Sequence, residues 1–383
     1  MKHTLESFFK SKYQLPPAII VRSPGRVNII GEHTDYNGGF VLPAAIDKAA
    51  YIAVSLRDDT QINLTALDLN ETYVTTVSDI KPAVEVNWPN YILGAAAQFI
   101  KRGIPLPGFN AVLTSDVPMG AGLSSSAAVE CATVFALNEL LHTDIERIEM
   151  VNMAQKAEHE YAGVLCGIMD QFASMMGKED QVIQLDCRSL NYEYVPFQLE
   201  GIKIVLLNTN VKHSLASSAY NTRRMECMQA VSWIREQYPQ VTSLRDADLA
   251  ILATCVLPKS ELIYKRSRFI VDEINRLLTA CTCLQEGNMD ALGKNMFATH
   301  DGLSKQYEVS CKELDFLVDF VRQRPEVIGA RMMGGGFGGC TINLVKASAI
   351  DSLLTDIQPA YESAMGLKLD YYIASIKNGT EIV

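Results

Sequence analysis

The chain contains no uncharged apolar run of membrane-spanning length, and no positively charged start leads into an apolar segment. A membrane helix and a secretory leader are therefore not expected, and a cytoplasmic location is. The nine cysteines, scattered from Cys131 to Cys340, are odd in number and sit mostly inside apolar patterns, as suits buried thiols in a reducing compartment. Cys281 and Cys283 lack a second cysteine pair or a nearby histidine at metal spacing, so structural zinc is not expected. Basic residues are in the minority, at 34 Lys and Arg against 44 Asp and Glu. The resulting net charge of −10 argues against nonspecific binding to nucleic acid or to an acidic membrane surface. An anionic nucleotide is not excluded, because a few backbone amides and one cation can bind phosphate locally.

The 383 residues are 48% hydrophobic and 20% charged, an ordinary globular composition. That length exceeds what one core usually supports, so two domains are expected, 1–200 and 201–383, without a low-complexity linker or an internal repeat. A monomer is the expectation.

One stretch dominates the first half. The apolar run 18–21 leads into Ser23–Gly39, and Phe40–Pro43 leads out; between them stand Arg26, Glu32, His33, Asp35 and glycines at 25, 31, 38 and 39. Such a density of charged side chains and permissive backbone between two apolar runs suits a loop that reads a small polar ligand. Residues 51–56, 62–67 and 73–77 read as antiparallel strands, and 92–100 as a helix after Trp88. A strand at 110–114 empties into Gly120-Ala121-Gly122-Leu123-Ser124-Ser125-Ser126, followed by a mostly buried helix. Strand, glycine-rich turn and helix N-terminus together form a phosphate cradle, although no lysine completes a Walker A loop.

Thr143 to Glu146 reads as a capping box opening a helix through about Tyr161. Glu158 lies on that helix's apolar stripe, costly for a carboxylate unless it is paired or metal-bound. Asp170 is one acid in the apolar run 167–176. The second half opens with a strand at 202–207, continues with helical periodicity over 258–323, and carries Gly334–Gly339. That segment matches GxGxxG but precedes a strand, so a second wall beside a phosphate is favoured over a dinucleotide fingerprint. Phosphoryl transfer needs phosphates held, a divalent ion placed, an acceptor hydroxyl oriented and charge neutralised, and the chain offers candidates for each. Ser126 and Glu158 can supply oxygen ligands to Mg2+, Asp170 can accept the hydroxyl proton and Arg26 can hold the charge.

Residues 25–37 resemble the galactokinase signature, 118–127 the ATP motif of the wider GHMP kinases, and 334–339 their third, glycine-rich motif. Cys166–Gln171, His213–Tyr220 and Tyr307–Asp315 resemble further motifs in the family's order. The resemblance covers nearly the whole chain. It implies a two-domain α+β GHMP kinase fold: a ribosomal-S5-like N-terminal domain, a ferredoxin-like C-terminal domain and a site in the cleft between them. It further implies that Glu32, His33, Thr34, Asp35, Gly167 and Tyr220 contact a sugar, and that Gly120 to Ser126 wrap the ATP phosphates. Ser126 and Glu158 would coordinate Mg2+, Asp170 would be the base, Arg26 would stabilise the transition state and Trp88 would stack on adenine. The implied reaction is ATP-dependent phosphorylation of galactose at its anomeric hydroxyl. The alternatives are a kinase for N-acetylgalactosamine or arabinose and a non-catalytic sugar and ATP sensor. The chain departs from the family's pattern at Met333, where Thr is usual, and at Ala219, where Glu is usual.

Overall fold

The computed structural model describes residues 1–197, 200–211 and 216–383. Residues 213–215 of the sugar-side motif lie outside the described residues. The first half supplies β1 (Ile19–Asn28), β2 (Phe40–Val41), β3 (Pro43–Leu56), β4 (Gln61–Ala66), β5 (Glu71–Thr76), β6 (Phe109–Ser115), β7 (Gln181–Asp186) and β8 (Tyr192–Pro196). The second half adds β9 (Ile202–Asn208), β10 (Val327–Met332), β11 (Cys340–Lys346), β12 (Asp370–Ala374) and β13 (Glu381–Ile382). They form a sheet in the order β13-β1-β3-β6-β4-β5, a second in the order β10-β11-β9-β12, and a small third, β2-β7-β8.

The first sheet separates two apolar layers by strand alternation. Ile20, Ala53 and Val112 meet Leu5 and Phe9 of α1 (Lys2–Tyr13). Their neighbours Val21, Ile52, Val54 and Ala111 face α2 (Pro89–Lys101), α3 (Ser125–Leu141), α4 (Arg147–Ala157) and α5 (Met169–Met176). The expectation of antiparallel pairing holds for β4 with β5, whereas β3 and β4 are not neighbours: β6 lies between them, antiparallel to β3 and parallel to β4. The reason is that α2 carries the chain across, and β6 inserts between β3 and β4.

The second half supplies α6 (Ala216–Arg235), α7 (Leu249–Cys255), α8 (Glu261–Gln285), α9 (Met289–Gly302), α10 (Lys312–Arg322) and α11 (Ile350–Met365). Val205 and Leu207 of β9 pack with Leu317, Leu353 and Tyr361 from α10 and α11. Ile204 and Leu206, on the other face, share one core with Ile29, Leu42 and Leu123 of the first half. Burial on both faces explains the continuous apolar run of β9. The two halves are thus joined by packed apolar surface, and β13 returns to pair with β1, Ile382 opposite Val21.

Thr143 does not open a capping box. Its hydroxyl donates to Asn138 Oδ1 at 2.8 Å, Asp144 has φ +50°, and α4 begins only at Arg147. The α-helix also stops at Ala157, and Glu158–Ala162 form a π-turn closed by Gly163 at φ +71°.

Candidate active site

Arg26 reaches the cleft because β1 has a register shift between Pro24 and Arg26. Such bulges re-aim side chains. Gly25 makes room there: a Cβ on it would lie 2.6 Å from the Leu123 carbonyl oxygen. Arg26 grips Asp170 with two bonds, Nε to Oδ1 at 2.8 Å and Nη2 to Oδ2 at 3.0 Å. Its Nη1 donates to the Gly122 carbonyl at 2.5 Å, tying Asp170 to the turn before α3. Burial works against the charge of this guanidinium, but Asp170 and Glu32 hold its pKa above the ordinary arginine value. Asp170 sits in the first turn of α5, where the helix dipole favours an anion.

The turn 120–124 carries three left-handed residues, Gly120, Gly122 and Ser124. Ser124 occupies the N-cap position of α3 without capping it; its hydroxyl donates to Asp170 Oδ2 at 2.5 Å instead. The first N–H groups of α3 are left without a side-chain cap beside an open cleft of about 310 Å³, the arrangement that binds anions. Gly334 packs on the same turn, since a Cβ there would lie 3.4 Å from the Gly122 oxygen. Gly334 to Phe337 form part of the cleft wall.

On the far side of Arg26 stand the acids of the opening loop. Glu32 is 1% exposed and is held by Arg331 Nη1 at 3.0 Å and the Gly334 N–H at 2.9 Å. Burial pushes its pKa up, but Arg331, Arg26 and that N–H bring it below the ordinary glutamate value. Burial, followed by the charge of Asp170, raises Asp35 to about 7. Gly167 is required against it: a Cβ would lie 1.6 Å from Asp35 Oδ2. His33 is driven down to about 4 by burial and is a neutral ring. Tyr220 of α6 lies against Gly335, its ring centroid 5.4 Å from that of His33.

Glu158, first residue of the π-turn, accepts from Ser126 Oγ at 2.9 Å, Gln171 Nε2 at 2.6 Å and Cys166 Sγ at 3.4 Å. Burial and then the charge of Asp170 raise it to about 7. A hydroxyl and a carboxylate are the hard oxygen donors Mg2+ takes alongside phosphate oxygens and water, and a cation here would relieve the raised carboxylate. Among the described residues no group of three or more His, Cys, Asp or Glu side chains forms a metal cluster. A site shared with a nucleotide needs only one or two protein ligands, so these residues fit the ion.

The cleft thus gathers Arg26, Glu32, His33, Asp35, Gly120, Gly122 to Ser126, Glu158, Gly167, Asp170 and Tyr220. It does not gather Thr34, Ala121 or Trp88. Thr34 is buried, and its hydroxyl donates to the Gly31 carbonyl at 2.9 Å, fixing the turn. Ala121 is packed in the core between the halves. Trp88 is the N-cap residue of α2, and its indole N–H donates to Glu71 at 2.7 Å. Three buried residues around the site went unread in the sequence. Arg331, fully buried, also donates from Nε to the Ile29 carbonyl at 2.8 Å, and Gln171 Nε2 spans Glu158 and Glu130. Their signal was available: Arg331 and Glu130 are charged residues inside otherwise apolar elements.

Three family models match: the galactokinase galactose-binding signature at residues 7–56, the GHMP kinases N terminal domain at 90–178 and the GHMP kinases C terminal domain at 280–361. A galactokinase of Thermotoga petrophila is 40% identical over 363 residues, covering 94% of this chain and 99% of its own. A galactokinase of Bacillus subtilis is 38% identical over 362 residues, covering 93% and 92%. The crystal structure of Lactococcus lactis galactokinase complexed with galactose superposes with a TM-score of 0.95 at 33% identity, over 100% of both chains. With near-complete coverage in sequence and in structure, the chain belongs to the galactokinase family of GHMP kinases.

Proposed function

We infer that this chain is an ATP-dependent kinase that phosphorylates the anomeric hydroxyl of α-D-galactose, giving galactose 1-phosphate and ADP. The observation that carries the reading is the Arg26–Asp170–Ser124 cluster, which ties the glycine-rich turn before α3 to β1 and to the start of α5. ATP phosphates belong at that turn, against the uncapped N–H groups of α3, and the sugar belongs beside Glu32, His33, Asp35, Gly167 and Tyr220. Asp170, held by Arg26 and by the Ser124 hydroxyl, takes the proton of the anomeric hydroxyl or anchors it as the oxygen attacks. Arg26 faces both substrates and balances negative charge developing on the transferred group. Ser126 and Glu158 would hold Mg2+, which when bound neutralises phosphate charge. Gly334 to Phe337 supply the second wall. Residues 1–200 and 201–383 are taken as the two domains, with β13 lent back to the first.

The test is an ADP-release assay across a panel of free monosaccharides. Release with galactose supports the assignment, and release only with another sugar overturns it.

A further inference from the structure

Behind His33 runs a line of side chains that phosphoryl transfer does not itself use. His33 Nδ1 lies 2.8 Å from the Tyr36 hydroxyl, which lies 2.7 Å from the Tyr307 hydroxyl, which lies 3.4 Å from Cys227 Sγ. Asn37 Nδ2 ends the line 3.6 Å from that sulfur. The members come from the turn after β1, from α6 and from a π-turn, Leu303–Tyr307, at the end of α9. Arg223 pins this π-turn, donating from Nε to the Tyr307 carbonyl at 2.9 Å. Neither Tyr36 nor Tyr307 lines the cleft, whereas His33 does.

Each of these contacts can run either way, so the line has two consistent directions, and one of them starts from the cysteine. Asn37 Nδ2 also donates to the His33 carbonyl at 2.9 Å, which fixes the amide, so toward the sulfur it acts only as a donor. Burial raises the Cys227 thiol to about 11, so it keeps its hydrogen, which in that direction lies on the Tyr307 oxygen. The Tyr307 hydrogen is then left for the Tyr36 oxygen, and the Tyr36 hydrogen for His33 Nδ1. A neutral imidazole that accepts at Nδ1 carries its proton on Nε2. Nε2 is buried without a partner in hydrogen-bond geometry, and the Gly335 backbone beside the ring favours its protonated form.

We propose that Tyr36 and Tyr307 are positioning residues that lock His33 in the Nε2–H tautomer, so that the ring offers galactose a donor. This rests on the sugar placement given above. A sugar hydroxyl could equally well donate to a bare ring nitrogen, so the relay, and not the sugar, decides the polarity of the contact. The hydroxyl that accepts from Nε2–H keeps its own hydrogen for a neighbouring carboxylate, which ranks hydroxyl orientations within the cleft.

The test is nitrogen-15 NMR of the histidine side chains in the sugar-free protein, with His33 assigned by the resonances that vanish in His33→Gln. One protonated Nε2 and one accepting Nδ1 are expected. Tyr36→Phe and Tyr307→Phe keep both rings but interrupt the line, so the two nitrogen resonances should move toward each other. In both variants the galactose KM should rise roughly tenfold, the worth of one hydrogen bond, while the ATP KM and kcat change by less than about twofold. A proton on Nδ1 in the unsubstituted protein, or resonances unmoved in both variants, overturns the relay. An Nε2–H tautomer whose resonance ignores galactose upholds the relay and overturns the sugar placement instead.

Discussion

Gly167→Ala separates the two ends of the cleft most sharply. The added Cβ would lie 1.6 Å from Asp35 Oδ2, 2.1 Å from its Cγ and 2.8 Å from its Cβ, so the whole side chain must retreat. Restoring an ordinary contact of 3.4 Å moves the carboxylate by about 1.8 Å. Asp35 is half-buried in a tight turn at the wall of the cleft, so the carboxylate is displaced within the end of the cleft assigned to the sugar. Misplacing a positioning group by 1 Å costs on the order of 10²-fold in rate, and that is the expected loss in kcat/KM for galactose. The ATP KM should stay within about twofold, because the turn 120–124 is untouched. Steady-state kinetics with each substrate varied in turn, alongside a thermal melt, measures this. Gly103→Ala is the control: its Cβ meets nothing within 4 Å, and its φ of +75° makes it a pure backbone cost. Equal losses for both substrates in Gly167→Ala, or none, would refute the division of the cleft.

Asp170→Asn should lower kcat by about 10²–10⁴-fold with an unchanged circular dichroism spectrum, since the acid or anchor is lost while the shape is kept. Asp35 and Glu158 are both raised to about 7 when folded, so the folded state binds more protons than the unfolded chain above the ordinary carboxylate values. Stability of the ligand-free protein should therefore fall as pH rises from about 4 to 7, and Glu158→Gln should flatten the fall in melts across that range. Arg331→Ala leaves the Glu32 carboxylate buried without its cation and should cost about 3–5 kcal/mol in urea unfolding.

The glycine-rich turn, the acidic loop and the helices after them were legible because their residues carry local signals: permissive backbone, alternation and helical spacing. Asp170 and Glu158 were legible as acids in apolar surroundings. What could not be read locally depends on distant partners. Arg331 finds Glu32 some three hundred positions away, and β6 slips between β3 and β4 only in the folded sheet. The capping box at Thr143 failed because Asn138 Oδ1 takes both the Thr143 hydroxyl and the Ile145 N–H. At Trp88 the indole N–H is satisfied by Glu71 of the neighbouring hairpin, a partner that lies seventeen positions away in the chain. Met333 and Ala219 differ from the family's pattern without disturbing the cleft wall; Met333 is buried in the core between the halves.

The central claim is that Asp170 and Arg26 direct the terminal phosphoryl group of ATP onto the anomeric oxygen of galactose. Phosphorus and carbon NMR of the product formed from galactose and Mg·ATP tests it directly. The account predicts a single α-linked 1-phosphate, formed in step with ADP and absent with Asp170→Asn. Phosphate on any other hydroxyl, or an Asp170→Asn enzyme that forms the same product at near-normal rate, would contradict it.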